Sequence, residues 1–203
     1  MCVHISKTNS KLGVIPSVNM PPIVTCRDDC PCATSCYATK GRFRFPNVVR
    51  TLRDNYEEYI SNPSKYFRDV QNAINNGMIS YSYFRWHASG DIIDTPYFHG
   101  MIEIAHRLPN TSFLAFTKKF EIINQYISDG GVIPDNLHIV FSAWGASLEV
   151  PNPYSMPVAH VRFSDENENT AIPEDAEECL GNCQECLRCW NIRSGQSVVF
   201  VLH

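Results

Sequence analysis

Eight of the chain's nine cysteines fall in two short groups. Cys26, Cys30, Cys32 and Cys36 form the first, Cys179, Cys183, Cys186 and Cys189 the second, and no cysteine lies between them. Cys2 stands apart at the start. A secreted disulfide scaffold spreads its cysteines through a small chain behind a signal peptide. Here the chain has 203 residues. Its opening, MCVHISKTNSKLGVIP, shows no basic stretch followed by a long apolar run. Thiols grouped in fours in a reducing compartment are metal ligands far more often than bridges. The expectation is a cytoplasmic protein that ties both ends of its chain to metal.

The spacing of each group narrows the metal. The second group reads Cys179-x3-Cys183-x2-Cys186-x2-Cys189. Zinc fingers and ribbons present pairs of ligands separated by a longer stretch, because two loops must meet around a tetrahedral ion. Three cysteines in succession at C-x2-C-x2-C are instead the ferredoxin run, which wraps one segment around a corner of a cubane. Trp190 follows directly and could shield sulfur from water. The first group, Cys26-x3-Cys30-x-Cys32-x3-Cys36, contains a Cys-x-Cys step that is no standard zinc knuckle. All eight clustered cysteines are therefore expected to ligate one or two iron–sulfur clusters, most simply 4Fe-4S, with zinc the alternative. Two sites of four and a mixed set drawn from both groups remain equally open at this point.

Around the cysteines, the chain reads as alternating strands and helices in a single domain, residues 1–203. Residues 1–24, broken by Pro16, Pro21 and Pro22, form an extended lead-in with at most one short strand. Residues 25–163 form the β/α core. Helices are expected over 47–60, 64–75 (capped by Ser64 and closed by Gly77), 96–107 and 119–130. Strands are expected near 23–25 and over 79–86, 111–117, 137–144 and 156–163, with a last one over 197–202. Residues 164–203 hold an acidic loop, the second cysteine group and that terminal strand. Strands alternating with helices of this length imply a mostly parallel α/β sheet. There are too few for a full eight-stranded barrel, so a partial (β/α) barrel or an open sheet is expected, with cysteine-rich loops near both ends of the chain.

Composition sets the limits. With 44% apolar residues the chain can build a core, and no apolar run approaches the roughly 18 residues of a membrane span. A net charge of −4 argues against a protein that coats nucleic acid. Arg42, Arg44, Arg50 and Arg53, interleaved with Phe43 and Phe45, nonetheless keep a local single-strand-binding surface as a minor alternative.

In parallel α/β folds the polar residues that matter sit at the carboxyl ends of strands. His87, Ser89 and Asp91 follow one expected strand, Lys118 another, and Ser142 a third. His87, Asp91 and Lys118 are the candidate ligand-binding residues, expected to face a pocket beside the first cysteine group. Ser142 is a weaker candidate. His4, His99, His106, His138, His160 and His203 have no partner motif.

The stretches CPCATSCYATKGR (30–42), FRWHASGDI (84–92), FTKK (116–119) and SAW (142–144), with a late cysteine cluster followed by Trp190, resemble the phage gene product 88 family. That resemblance implies an iron–sulfur protein shaped like a distant, shortened relative of the radical S-adenosylmethionine barrels. It implies no established reaction. Three functions follow as expectations. The first is an iron–sulfur redox or electron-transfer protein, encoded by a phage or mobile element, with an undefined redox partner or small molecule. The alternatives are a radical-type iron–sulfur enzyme and a zinc-stabilised interaction or nucleic-acid-binding module.

Overall fold

The computed structural model describes residues 3–75 and 81–201. Cys2, Gly77, His203, the first two residues of the strand expected at 79–86 and the last of that at 197–202 lie outside them. Eight strands form one sheet: β1 (Ile5–Ser6), β2 (Ser17–Val18), β3 (Tyr83–Trp86), β4 (Ser112–Thr117), β5 (Leu137–Ser142), β6 (Val158–Arg162), β7 (Glu177–Glu178) and β8 (Ser197–Val201). Their order across the sheet is β1-β2-β3-β4-β5-β6-β8-β7. Only the β1–β2 pair is antiparallel; the other six pairs are parallel. The sheet is open, with β1 and β7 at its edges. Of the two architectures expected from sequence, the open one describes it.

Among the described residues four helices of more than two turns connect the strands from β2 to β5. Helices α1 (Pro46–Ser61) and α2 (Pro63–Ile74) lie between β2 and β3, α3 (Thr95–Arg107) between β3 and β4, and α4 (Phe120–Ser128) between β4 and β5. Proline stands in the first turn of α1, α2 and α3, where its missing N–H costs nothing. Asp94 caps α3 by accepting from Tyr97 N. For α2 the cap is Asn62, which accepts from Lys65 N, and not Ser64: Pro63 takes the first helical position, so the cap must precede it.

Strand alternation divides the core in two. On one face Phe84, Trp86, Phe113, Ala115, Ile139 and Phe141 pack with Tyr59, Tyr66, Val70, Tyr97, Met101 and Phe120 of the four helices. Among the described residues the opposite face has no such helix. Leu114, Val140, Ala159 and Val198 are covered there by Leu12, Ile15, Trp190 and Ile192, which come from the two ends of the chain. The C-terminal cysteine segment is therefore the lid of the sheet's second face.

Three expectations need correction. The lead-in holds two short strands, because β1 folds back on β2 and adds an edge. No strand covers residues 23–25; Ile23 has a left-handed φ of 68°, and the strand that precedes the first cysteine group is Ser17–Val18. The acidic stretch 164–178 is not wholly a free loop, since its last two residues pair with β8 as β7. Two-residue strands carry too little period to be read from sequence.

Candidate metal centre

The first cysteine group is a run of tight turns. Cys30 N bonds Arg27 O, Ala33 N bonds Cys30 O, and Ser35 N bonds Cys32 O, which folds the sulfurs back on one another. Cys30 and Cys32 Sγ lie 3.1 Å apart. Hydrogen bonding with the Cys26 and Cys32 side chains draws Cys30 well below the usual thiol range, with the Lys118 charge assisting. Cys26 and Cys32 move the other way, each chiefly through that same hydrogen bond to Cys30.

The turn 87–91 clasps this loop to the sheet. Ala88 N donates to Asn19 Oδ1 and Ser89 Oγ to Met20 O, while Met20 N donates to Ser89 O. Asp91 N donates to Thr25 Oγ1, one residue before Cys26. Gly90 has φ +81°, and a Cβ there would lie 2.6 Å from Thr25 Oγ1 and 2.7 Å from Met20 Cβ. Any larger residue would push the cysteine loop off the sheet.

Asp91 is buried and its carboxylate accepts from Ile92 N and Lys118 N. Burial raises its pKa, against the pull of those bonds and of the Lys118 charge. Lys118 Nζ donates to Ser142 Oγ at 2.8 Å, and Lys118 O accepts from Arg27 of the cysteine loop at 3.1 Å. Asp91, Lys118 and Ser142 thus meet beside the first group, at the carboxyl ends of β3, β4 and β5.

His87 is placed elsewhere. Its φ of 55° breaks the alternation after Trp86, so the ring stays on the helix side. There Nε2 lies 2.9 Å from Tyr97 Oη, and Nδ1 has no partner among the described residues. Burial, then the charges of Arg85 and Lys119, push its pKa down to about 3. The unfolded chain, with a histidine pKa near 6.5, binds more protons between these two values, so stability rises with pH there. The contribution is present above about pH 6.5 and is lost as pH falls towards 3. Denaturant melts of His87→Gln are expected to fall less steeply with acid than wild type over that window; parallel curves would show that His87 does not titrate on unfolding.

In the second group, a one-turn helix, Cys183–Cys186, ends at Leu187 in a left-handed conformation, φ 49°. Together with Gly181 this bends the segment so that all four cysteines line one recess, with Trp190 and Val198. The recess is pinned to the chain's start: Cys183 N donates to Lys11 O, and Val14 N to Gln184 Oε1. Trp190, 2% exposed, sends Nε1 to Phe84 O at 3.2 Å. Burial pushes the Cys189 thiol up to about 11.

Eight sulfur donors with no oxygen among them are the chemistry of zinc or an iron–sulfur cluster. The match lies in the donor set and in the shared recess. A tetrahedral zinc site with bonds near 2.3 Å would hold sulfurs about 3.8 Å apart, further than Cys30 and Cys32 are. Among the described residues no three His, Cys, Asp or Glu side chains surround a common metal position.

Sequence reading missed Arg85 and Tyr37. Arg85 occupies the β3 position between Phe84 and Trp86, so its side chain falls on the opposite face. Its guanidinium lies 4.2 Å from the Phe116 ring centre, and Nε donates to Trp86 O and His87 O. A lone cation inside YFRW was the available signal. Tyr37, beside Cys36, donates its hydroxyl to Ala88 O. Arg42, Arg44 and Arg50 are exposed on the 3-10 turn at Gly41–Arg44 and on α1, and Arg53 pairs with Glu57.

No curated protein and no solved structure matches the chain. The model of the family described as gene product 88 matches residues 4–192, nearly the whole of the chain and both cysteine groups, and the chain belongs to that family.

Proposed function

We propose that the protein is an iron–sulfur redox or electron-transfer protein in which Cys26, Cys30, Cys32 and Cys36 hold one cluster and Cys179, Cys183, Cys186 and Cys189 a second. The observation that carries this reading is that one group docks on β3 and the other on the turn that follows it. Tyr37, next to Cys36, bonds the turn after β3 at Ala88, while Trp190, next to Cys189, bonds β3 at Phe84. A bound cluster supplies one-electron storage and transfer. The chain's own residues keep it dry and fixed: Trp190 and Val198 wall the second recess, and Asp91 with Thr25 anchors the first loop. A redox partner or small molecule in the host cytoplasm is the matching counterpart.

A second reading, a radical-type enzyme, draws on the fold. Helices on one face and parallel neighbours following chain order from β2 to β6 are what a slice of a (β/α) barrel looks like.

Spin-resonance-monitored reduction of anaerobically prepared protein tests the first reading. A one-electron signal that returns undiminished over repeated cycles is expected. Clusters that fall apart on first reduction would assign them a structural role instead.

A further inference from the structure

We propose that the exposed basic and aromatic segment from Tyr37 to Arg50 is a binding surface for single-stranded nucleic acid. Between Cys30 and Arg53 the chain has five basic residues, Lys40, Arg42, Arg44, Arg50 and Arg53, and no acidic one, although its net charge is −4. Arg53 pairs with Glu57. The other four are exposed, and among the described residues none of them meets a carboxylate or spends a side-chain donor. The backbone beneath them is fixed. Lys40 N donates to Tyr37 O, Phe43 N to Lys40 O and Phe45 N to Arg42 O, and Val49 N closes the first turn of α1 onto Phe45 O. Four like charges are thereby held close together with no counter-charge, an arrangement that repels itself in the free protein and favours a polyanion.

Two aromatic rings lie open in the same segment. Tyr37 is 65% exposed and Phe45 55%. Tyr37 does not swing free: its hydroxyl is tied to Ala88 O, and the Phe43 ring packs edge-on against it at 5.8 Å. Val49, one turn along α1 from Phe45 and 49% exposed, extends the apolar side of the surface. Rings interleaved with cations match a polymer that offers phosphates and free base faces together. The cations take the backbone, and any base can stack because each has a π face. A duplex hides those faces within its own stack, while an acidic peptide or an anionic membrane surface offers charge without them. The inference stands apart from the proposed function, because it needs no metal in either cysteine group.

Fluorescence anisotropy on the full chain tests this, with labelled oligothymidine and oligouridine of about twenty nucleotides and a DNA duplex of the same length. One phosphate contact from each of Lys40, Arg42, Arg44 and Arg50 gives a slope of about −3 for log K against log salt on a single strand. The double variant Arg42→Gln, Arg44→Gln should lose about half of that slope. Phe45→Leu keeps an apolar side chain but removes the π face, so it should weaken single-strand binding roughly fivefold and leave the slope unchanged. Arg50→Gln, on α1 and away from the 3-10 turn, should by itself lose about a quarter of the slope, which keeps the test open if the double variant fails to fold. The thymidine and uridine arms tell DNA from RNA. Failure to bind either strand at low salt would overturn the proposal, as would slopes unchanged in the arginine variants. So would a duplex bound as tightly as a single strand with Phe45→Leu having no effect. Polyglutamate bound as tightly as oligothymidine would overturn it too, in favour of an acidic protein partner.

Discussion

If the cysteine groups hold metal as proposed, a strong chelator under reducing conditions is expected to open one face of the sheet and spare the other. The helix-side core, from Tyr59 through Trp86 to Phe141, contains no cysteine. The opposite core has Cys179, Cys183 and Cys189 packed along its margin. Metal sites of this kind contribute on the order of ten kcal/mol to folding, comparable with a domain's whole net stability of about 5–15 kcal/mol. Residues 164–190 should therefore become open to proteolysis and Trp190 to solvent, while most of the helical circular dichroism remains. Proteolysis and Trp190 exposure identical before and after chelation would show that the cysteines hold nothing that matters to the fold.

Trp190→Ala is expected to be the most damaging change outside the cysteines. The indole is fully enclosed, sits with Leu114, Val140 and Val198, and hydrogen-bonds Phe84 O. Truncating so large a buried side chain costs about 3–5 kcal/mol, a fall in Tm of roughly 10 °C for a chain of this size. Metal retention at the second group should weaken with it, since Trp190 both walls the recess and pins the segment to β3. Trp190→Phe, which refills most of the space, should recover the larger part of the loss. A Trp190→Ala protein that melts with wild type would mean that this segment does not cover the sheet.

Those two results would test what sequence made legible and what it did not. The alternation of apolar periods marks β3 to β6, β8 and all four helices, because each buries one face and its neighbours in sequence are its neighbours in space. The two cysteine groups announce themselves by spacing. The role of His-Ala-Ser-Gly-Asp is different. Its bonds to Asn19, Met20 and Thr25 span 66 to 69 positions, so no local pattern shows that it clasps the first cysteine loop. His87 would lie on the same face as Arg85 if β3 continued; a single positive φ ends the strand and turns the ring to Tyr97. Arg85 was within reach. A cation between Phe84 and Trp86 in a strand must point to the other face, and only the knowledge of what covers that face gives it a meaning. The cap at Asn62 was also within reach, since Asn-Pro at a helix start places the cap before the proline.

The central claim is that both cysteine groups hold iron–sulfur clusters. Iron, zinc and acid-labile sulfide measured together on protein purified without oxygen test it most directly, in wild type and in variants with either group changed to serine. The account predicts brown protein with iron and sulfide in equal amounts, about half of each lost when either group is removed. Colourless protein with stoichiometric zinc and no sulfide would contradict it.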